Sequence, residues 1–264
     1  MLPLRDENPT RRVPVVTILL IVANVAVYFL VQPGNPNSSA SARFNLERAA
    51  IPCEVVQGRP LSVGEVQATY GAGDDPACEG DTQQGPPLFP GKQVLVAVFV
   101  SMFLHGSLLH LGGNMLFMWI FGNNVEDSMG PLKYILFYLA GGVAADALQI
   151  VFDLDSNVPT LGASGAVAAV LGGYILIYPR ARVITVIFIV IFFTVIELPA
   201  LLVLGLWFAQ QVAFGLLEYG TADQGGGGVA YFAHIGGFVF GLLAIRLLAT
   251  NIKDVAGRRR PERT

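Results

Sequence analysis

The sequence predicts an all-α membrane protein: a bundle of six transmembrane helices, both termini cytoplasmic, with a long extracytoplasmic first loop. Three observations predict it. Hydrophobic residues make up 53% of the chain and charged residues only 13%, about half the charged share of a soluble domain. Six apolar stretches, 13–31, 107–126, 131–151, 160–178, 199–218 and 229–249, reach or approach the roughly 20 residues that a helix needs to cross the hydrocarbon core. With six spans and a cytoplasmic N-terminus, twelve Lys and Arg fall in inside segments and four in outside ones. Basic residues resist translocation, so this bias sets the orientation.

Residues 1–12 form the N-terminal segment and carry Arg5, Arg11 and Arg12. The first span, VPVVTILLIVANVAVYFLV, is too long for the apolar core of a secretory signal, and the small-x-small site Ala40-Ser41-Ala42 lies far beyond its end. It is therefore expected to be an uncleaved signal anchor. The loop 32–92 is rich in Pro, Gly, Ser and Asp, with PGNPNSSASA and GAGDDPACEG as turn-rich stretches. Both cysteines, Cys53 and Cys78, lie in it. An even count outside the cytoplasm predicts a disulfide, and closing a loop of about 25 residues contributes about 3 kcal/mol in the chain-entropy model.

The run KQVLVAVFVSMFLHGSLLHLGGNMLFMWIFGNNVE is split at Gly106-Ser107. Ser107 can cap a helix beginning at Leu108, which leaves 94–104 as an interfacial segment before the second span. The stretch VITVIFIVIFFTVIELP, 183–199, is apolar and rich in β-branched residues. Counting it as a seventh span would put the basic tail outside, so an interfacial or re-entrant connector on the cytoplasmic side is expected. The membrane domain then runs from 13 to 249. The tail 250–264, with GRRRPERT, is expected to fix topology. Neither an internal repeat nor paired broken segments are visible, which disfavours a transporter.

Strongly polar groups inside a bilayer are costly and are functional candidates by default. Here they are Ser164, His234, His110, Asn114, His105, Glu126 and Asp146. At 1.5 Å per residue, Ser164 lies about 6 Å along the fourth span, His234 about 8 Å along the sixth, and His110 and Asn114 about 5 and 11 Å along the second. All four fall in one layer beneath the outer surface. A serine–imidazole hydrogen bond requires two helices to approach closely, which small residues at every fourth position permit. Gly165, Ala169 and Gly173 form one such row, Ser164, Ala168 and Gly172 another, and Ala233, Gly237 and Gly241 a third. Gly162 and Gly236 belong to the same close packing.

His110 and Asn114, at i and i+4, share a helix face and can donate to an oxyanion. The Ser164 amide, in the first turn of its helix, is a third donor at the positive end of the dipole. Nucleophile, base and oxyanion donors are thus present without an acidic third member. A metal site is not expected. His105 and His110 are five apart, about 140° around a helix, and no close zinc spacing occurs. Glu126 is read as pairing with a basic group or capping a neighbouring loop, and Asp146 as a single interhelical hydrogen bond rather than a relay.

These residues resemble the rhomboid intramembrane serine proteases. The matching elements are HGSLLHLGGNM with His105, His110 and Asn114, FGNNVED with Glu126, GASG with Ser164, and AHIGGFVFG with His234, Gly236, Gly237 and Gly241. The resemblance implies a six-helix rhomboid-like bundle whose cavity opens to the extracytoplasmic side of the plasma (inner) membrane. In it Ser164 would be the nucleophile and His234 the general base. His110, Asn114 and the Ser164 amide would form the oxyanion hole, His105 would support the cavity, and the fifth span would gate it. The implied partners are transmembrane protein substrates and the lipid bilayer; no cofactor and no nucleic acid are expected, and the oligomeric state is left open. The alternative is a catalytically silent relative that binds or escorts membrane proteins. Two features depart from many relatives. The tryptophans, Trp119 and Trp207, lie outside the first loop, and Ala168 stands one turn after Ser164 where some relatives place a tyrosine on the base. Another group must orient His234.

Overall fold

In the computed structural model, which describes residues 1–69, 78, 85–189, 192–220 and 228–252, the chain is mostly helical. Strand β1 (Leu2–Asp6) leads into α1 (Val15–Leu30), and the first loop contains α2 (Ser39–Arg48), α3 (Pro52–Gln57) and α4 (Val63–Gln67). Next come α5 (Val94–Ser101), α6 (Leu108–Phe117), a π-helical turn (Met118–Gly122) and α7 (Asn123–Met129). The chain continues through α8 (Pro131–Phe152), α9 (Ser164–Ile177), β2 (Arg182–Ile189), β3 (Phe192–Pro199), α10 (Ala200–Gly220) and α11 (Tyr231–Leu248). Among the described residues, Pro131–Phe152, Ala200–Tyr219 and Tyr231–Leu248 are long and apolar enough to cross a membrane, and α1 and α9 are shorter apolar helices. The turn-rich stretch 71–80, apart from Cys78, and the tail from 253 onward lie outside the described residues.

Helix α9 is the centre of the bundle: every residue from Gly165 to Ile175 is buried. The surrounding helices turn apolar side chains outward as well, among them Leu136 on α8, Leu201 on α10 and Leu243 on α11. A helix apolar on all sides belongs in a core, and a bundle apolar inside and out has lipid as its solvent. Local chemistry sets the helix starts. Ser107 accepts from the His110 amide at 3.1 Å and caps α6. Gly130, at φ 84°, turns the chain into α8, whose first residue is Pro131. Pro14 offers α1 no side-chain cap, and Glu126 supplies one from α7. Its carboxylate accepts from the Val16 amide at 3.0 Å and from the Thr17 amide and hydroxyl, each at 2.8 Å. A buried anion at an uncapped N-terminus satisfies orphan donors and faces the positive dipole end.

One expectation needs correction. The fold is not all-α: the connector 183–199 is built of strands. Strands β1, β2 and β3 form a three-stranded antiparallel sheet in that order. Leu2 faces Val186 and Asp6 faces Val183, while β2 and β3 pair from Arg182–Pro199 to Ile189–Phe192. The dense Val, Ile and Thr content favours strands; apolar length alone does not separate a buried strand from a helix. The N-terminal segment 1–12 is likewise structured, because β2 offers it an edge.

The first loop has its own small core of Ile51, Cys53 and Leu61, and Cys53 and Cys78 are disulfide-bonded with Cα atoms 6.2 Å apart. Lys92 and Glu54 form an ion pair of 2.5 Å with both side chains 2% exposed. Burial pushes the Glu54 carboxyl up and the Lys92 ammonium down, and the opposite charge of each partner offsets part of this. Arg59 holds both oxygens of Glu65, at 2.9 and 2.8 Å. This unit is stitched to the segment that precedes α9: the Thr160 amide donates to the Ala50 carbonyl at 2.8 Å and the Cys53 amide to the Ser156 carbonyl at 3.1 Å.

Candidate active site

The segment that delivers Ser164 is held from two sides, since the Gly162 amide also donates to the Ser101 carbonyl at 2.9 Å. Gly162 has φ 134°, a conformation that side chains rarely adopt. A Cβ there would stand 2.7 Å from His110 Cε1, 2.8 Å from His110 Nε2 and 3.4 Å from Ser164 Oγ. Glycine at this position therefore leaves room for the His110 ring and the Ser164 hydroxyl to share one space. Ser164 is the first residue of α9, so its amide is among those without an acceptor inside the helix.

The approach of α11 to α9 is set by glycine. A Cβ on Gly237 would collide with the Gly165 carbonyl oxygen, one on Gly241 with the Ala169 carbonyl oxygen, and one on Gly172 with the Phe238 carbonyl oxygen. On the far side of α11, a Cβ on Gly236 would lie 2.7 Å from Leu148 Cβ and 3.0 Å from the Ala144 carbonyl oxygen of α8. Backbone against backbone is the closest approach two helices can make.

Ser164, His234, His110 and Asn114 all line one cavity of about 850 Å³, together with Phe117, Trp207, Asp153 and Glu218. Asn114 is buried and its Nδ2 has no hydrogen-bond partner among the described residues. His105 does not line the cavity. It is buried behind His110, edge to face with ring centroids 5.1 Å apart, and Gln32 clasps its main chain with bonds of 2.9 and 3.0 Å. Asp146 sits on α8 with Oδ2 lacking any hydrogen-bond partner among the described residues. Among the described residues no hydrogen bond joins Ser164 to His234. The imidazole instead meets α10: His234 Nδ1 lies 2.8 Å from Gln211 Oε1, and the Trp207 ring stands 5.8 Å away at 37°.

Sequence reasoning missed Gln211. An amide within an apolar span needs a partner, and Trp207 and Gln211 are i and i+4 on one face, but neither fact identifies His234 as that partner.

A family model described as a Rhomboid domain matches residues 92–251, and the chain belongs to the rhomboid family. It is similar to Rhomboid protein 1, mitochondrial, of Saccharomyces cerevisiae, 29% identical over 158 residues, which are 56% of this chain and 40% of the relative. It is similar also to the Presenilin-associated rhomboid-like protein, mitochondrial, of Mus musculus, 29% identical over 156 residues, 58% of this chain and 38% of the relative. RHOMBOID-like protein 4 of Arabidopsis thaliana is 34% identical over 147 residues, covering 53% and 30%. The match thus spans two fifths or less of each of these relatives. The first two overturn the expected plasma-membrane location, since both are mitochondrial by name. A membrane protein remains. The counts of basic residues compare the two faces of a bilayer and carry no mark of which bilayer it is.

Proposed function

We propose that the chain is an intramembrane serine endopeptidase that cleaves transmembrane segments of membrane-protein substrates. The observation that carries the reading is the convergence of Ser164, His234, His110 and Asn114 on the same cavity among apolar helices. In this reading the His234 imidazole takes the Ser164 proton as the hydroxyl oxygen attacks the scissile carbonyl. The oxyanion is held by Asn114, His110 and the Ser164 amide, and His234 returns the proton to the leaving amine. His105 supports His110 from behind. The bundle spans the bilayer six times with its termini on one side. Substrate reaches the site past α10, where Trp207 and Phe117 of α6 line the cavity with ring centroids 6.4 Å apart.

The escort alternative draws on one observation, the missing Ser164–His234 hydrogen bond. Catalytic hydrogen bonds are often long before substrate binds, and a binding module has no use for an unpartnered Asn114 donor on the cavity that Ser164 lines. A fluorophosphonate probe tests the reading. Labelling of purified protein at Ser164, lost in Ser164→Ala, is the expected result; labelling that survives the replacement would place the nucleophile elsewhere.

A further inference from the structure

We infer that Gln211 is a positioning residue that sets the tautomer of His234, holding the proton on Nδ1 and leaving Nε2 free to act as base; this rests on the proteolytic reading above. Gln211 Oε1 is 2.8 Å from His234 Nδ1, and both residues are buried. The other end of the amide is assigned by its own helix: Nε2 donates to the Trp207 carbonyl, one turn earlier, at 3.3 Å. Turning the amide over would set carbonyl against carbonyl and lose that bond. A carbonyl oxygen only accepts, so the ring nitrogen facing it must donate. A neutral imidazole carries one N–H. With that hydrogen on Nδ1, the lone pair is on Nε2, the form that can accept a serine proton. The opposite tautomer would put two lone pairs face to face in a buried site and present an N–H to the hydroxyl.

Trp207, whose ring stands 5.8 Å from the imidazole, limits the rotation that the hydrogen bond alone would permit. Together the two α10 side chains do from the side what a residue one turn after Ser164 cannot do here, because that position is Ala168. The partner of the base is therefore a neutral acceptor on a neighbouring helix.

Nitrogen NMR of the full chain in detergent, labelled with [15N]histidine, reads the tautomer directly, with the His234 signals identified by their loss in His234→Ala. The wild type is expected to show Nδ1 protonated and Nε2 bare. Gln211→Leu should populate the other tautomer, and Gln211→Glu, which keeps an acceptor, should retain the first. In cleavage assays Gln211→Leu should lower kcat about tenfold to a hundredfold with KM little changed, and Gln211→Glu should recover most of the loss. A wild-type ring protonated at Nε2, or a tautomer unmoved in Gln211→Leu, would overturn the assignment. If the chain cleaves nothing, the protease reading falls while the NMR result still decides the tautomer. If it cleaves normally in Gln211→Leu, the assignment falls and the protease reading stands.

Discussion

Gly237 of α11 rests directly on the main chain of Gly165 of α9: an added Cβ would lie 3.0 Å from the Gly165 carbonyl carbon and closer still to its oxygen. No flexible side chain is present at that contact to move aside. Gly237→Ala should therefore destabilise the protein by about 1–3 kcal/mol, the usual cost of overpacking, and depress cleavage by pushing His234 away from Ser164. Gly205→Ala, on α10 where nothing among the described residues lies within 4 Å of the new methyl, should be neutral or slightly stabilising. Unfolding in detergent micelles compares the two.

Glu126 should behave as the cap of α1. Glu126→Ala strands the Val16 amide and the Thr17 amide and hydroxyl, the three donors it now accepts, at a cost of about 1–3 kcal/mol. Glu126→Gln keeps one acceptor oxygen and should cost less. Chemical denaturation of the two variants beside wild type checks the order.

What the sequence made legible follows from how local each signal is. Ser107 ahead of an apolar run marked the start of α6 at Leu108, and a capping bond of 3.1 Å sits there. Rows of small residues four apart were visible on the segments that became α9 and α11, and His110 and Asn114 were visible at i and i+4. The sheet was not, since 183–199 is largely apolar on both alternating faces and β1 exists only through its pairing with β2. Gln211 was not either: its partner lies 23 residues away, and a lone amide in an apolar span does not announce what it faces. The compartment was beyond reach for a different reason, as charge counts rank faces and not membranes.

The buried pair Lys92–Glu54 should be a poor source of stability. Taking both charges out of water offsets their attraction. Lys92→Met alone, leaving Glu54 uncompensated, should cost about 3–5 kcal/mol, whereas Lys92→Met with Glu54→Leu should cost less, the remainder coming from the Leu61 amide and Leu46 carbonyl that lose their partners. A double-mutant cycle by thermal unfolding measures this.

The disulfide between Cys53 and Cys78 closes a loop with a sequence separation of 25. Its removal in Cys53→Ser with Cys78→Ser should lower stability by about 3 kcal/mol in the chain-entropy model. Mass measurement of the untreated wild type should find no free thiol; two free thiols would remove the bridge from the account.

Ser164 and His234 are proposed as the reacting pair. Cleavage of a single-span model substrate by purified protein in detergent or liposomes, wild type against Ser164→Ala and His234→Ala, tests this most directly. The wild type should cut within the membrane segment, and each variant should lose activity by at least about a thousandfold. Undiminished cleavage by either variant would contradict it.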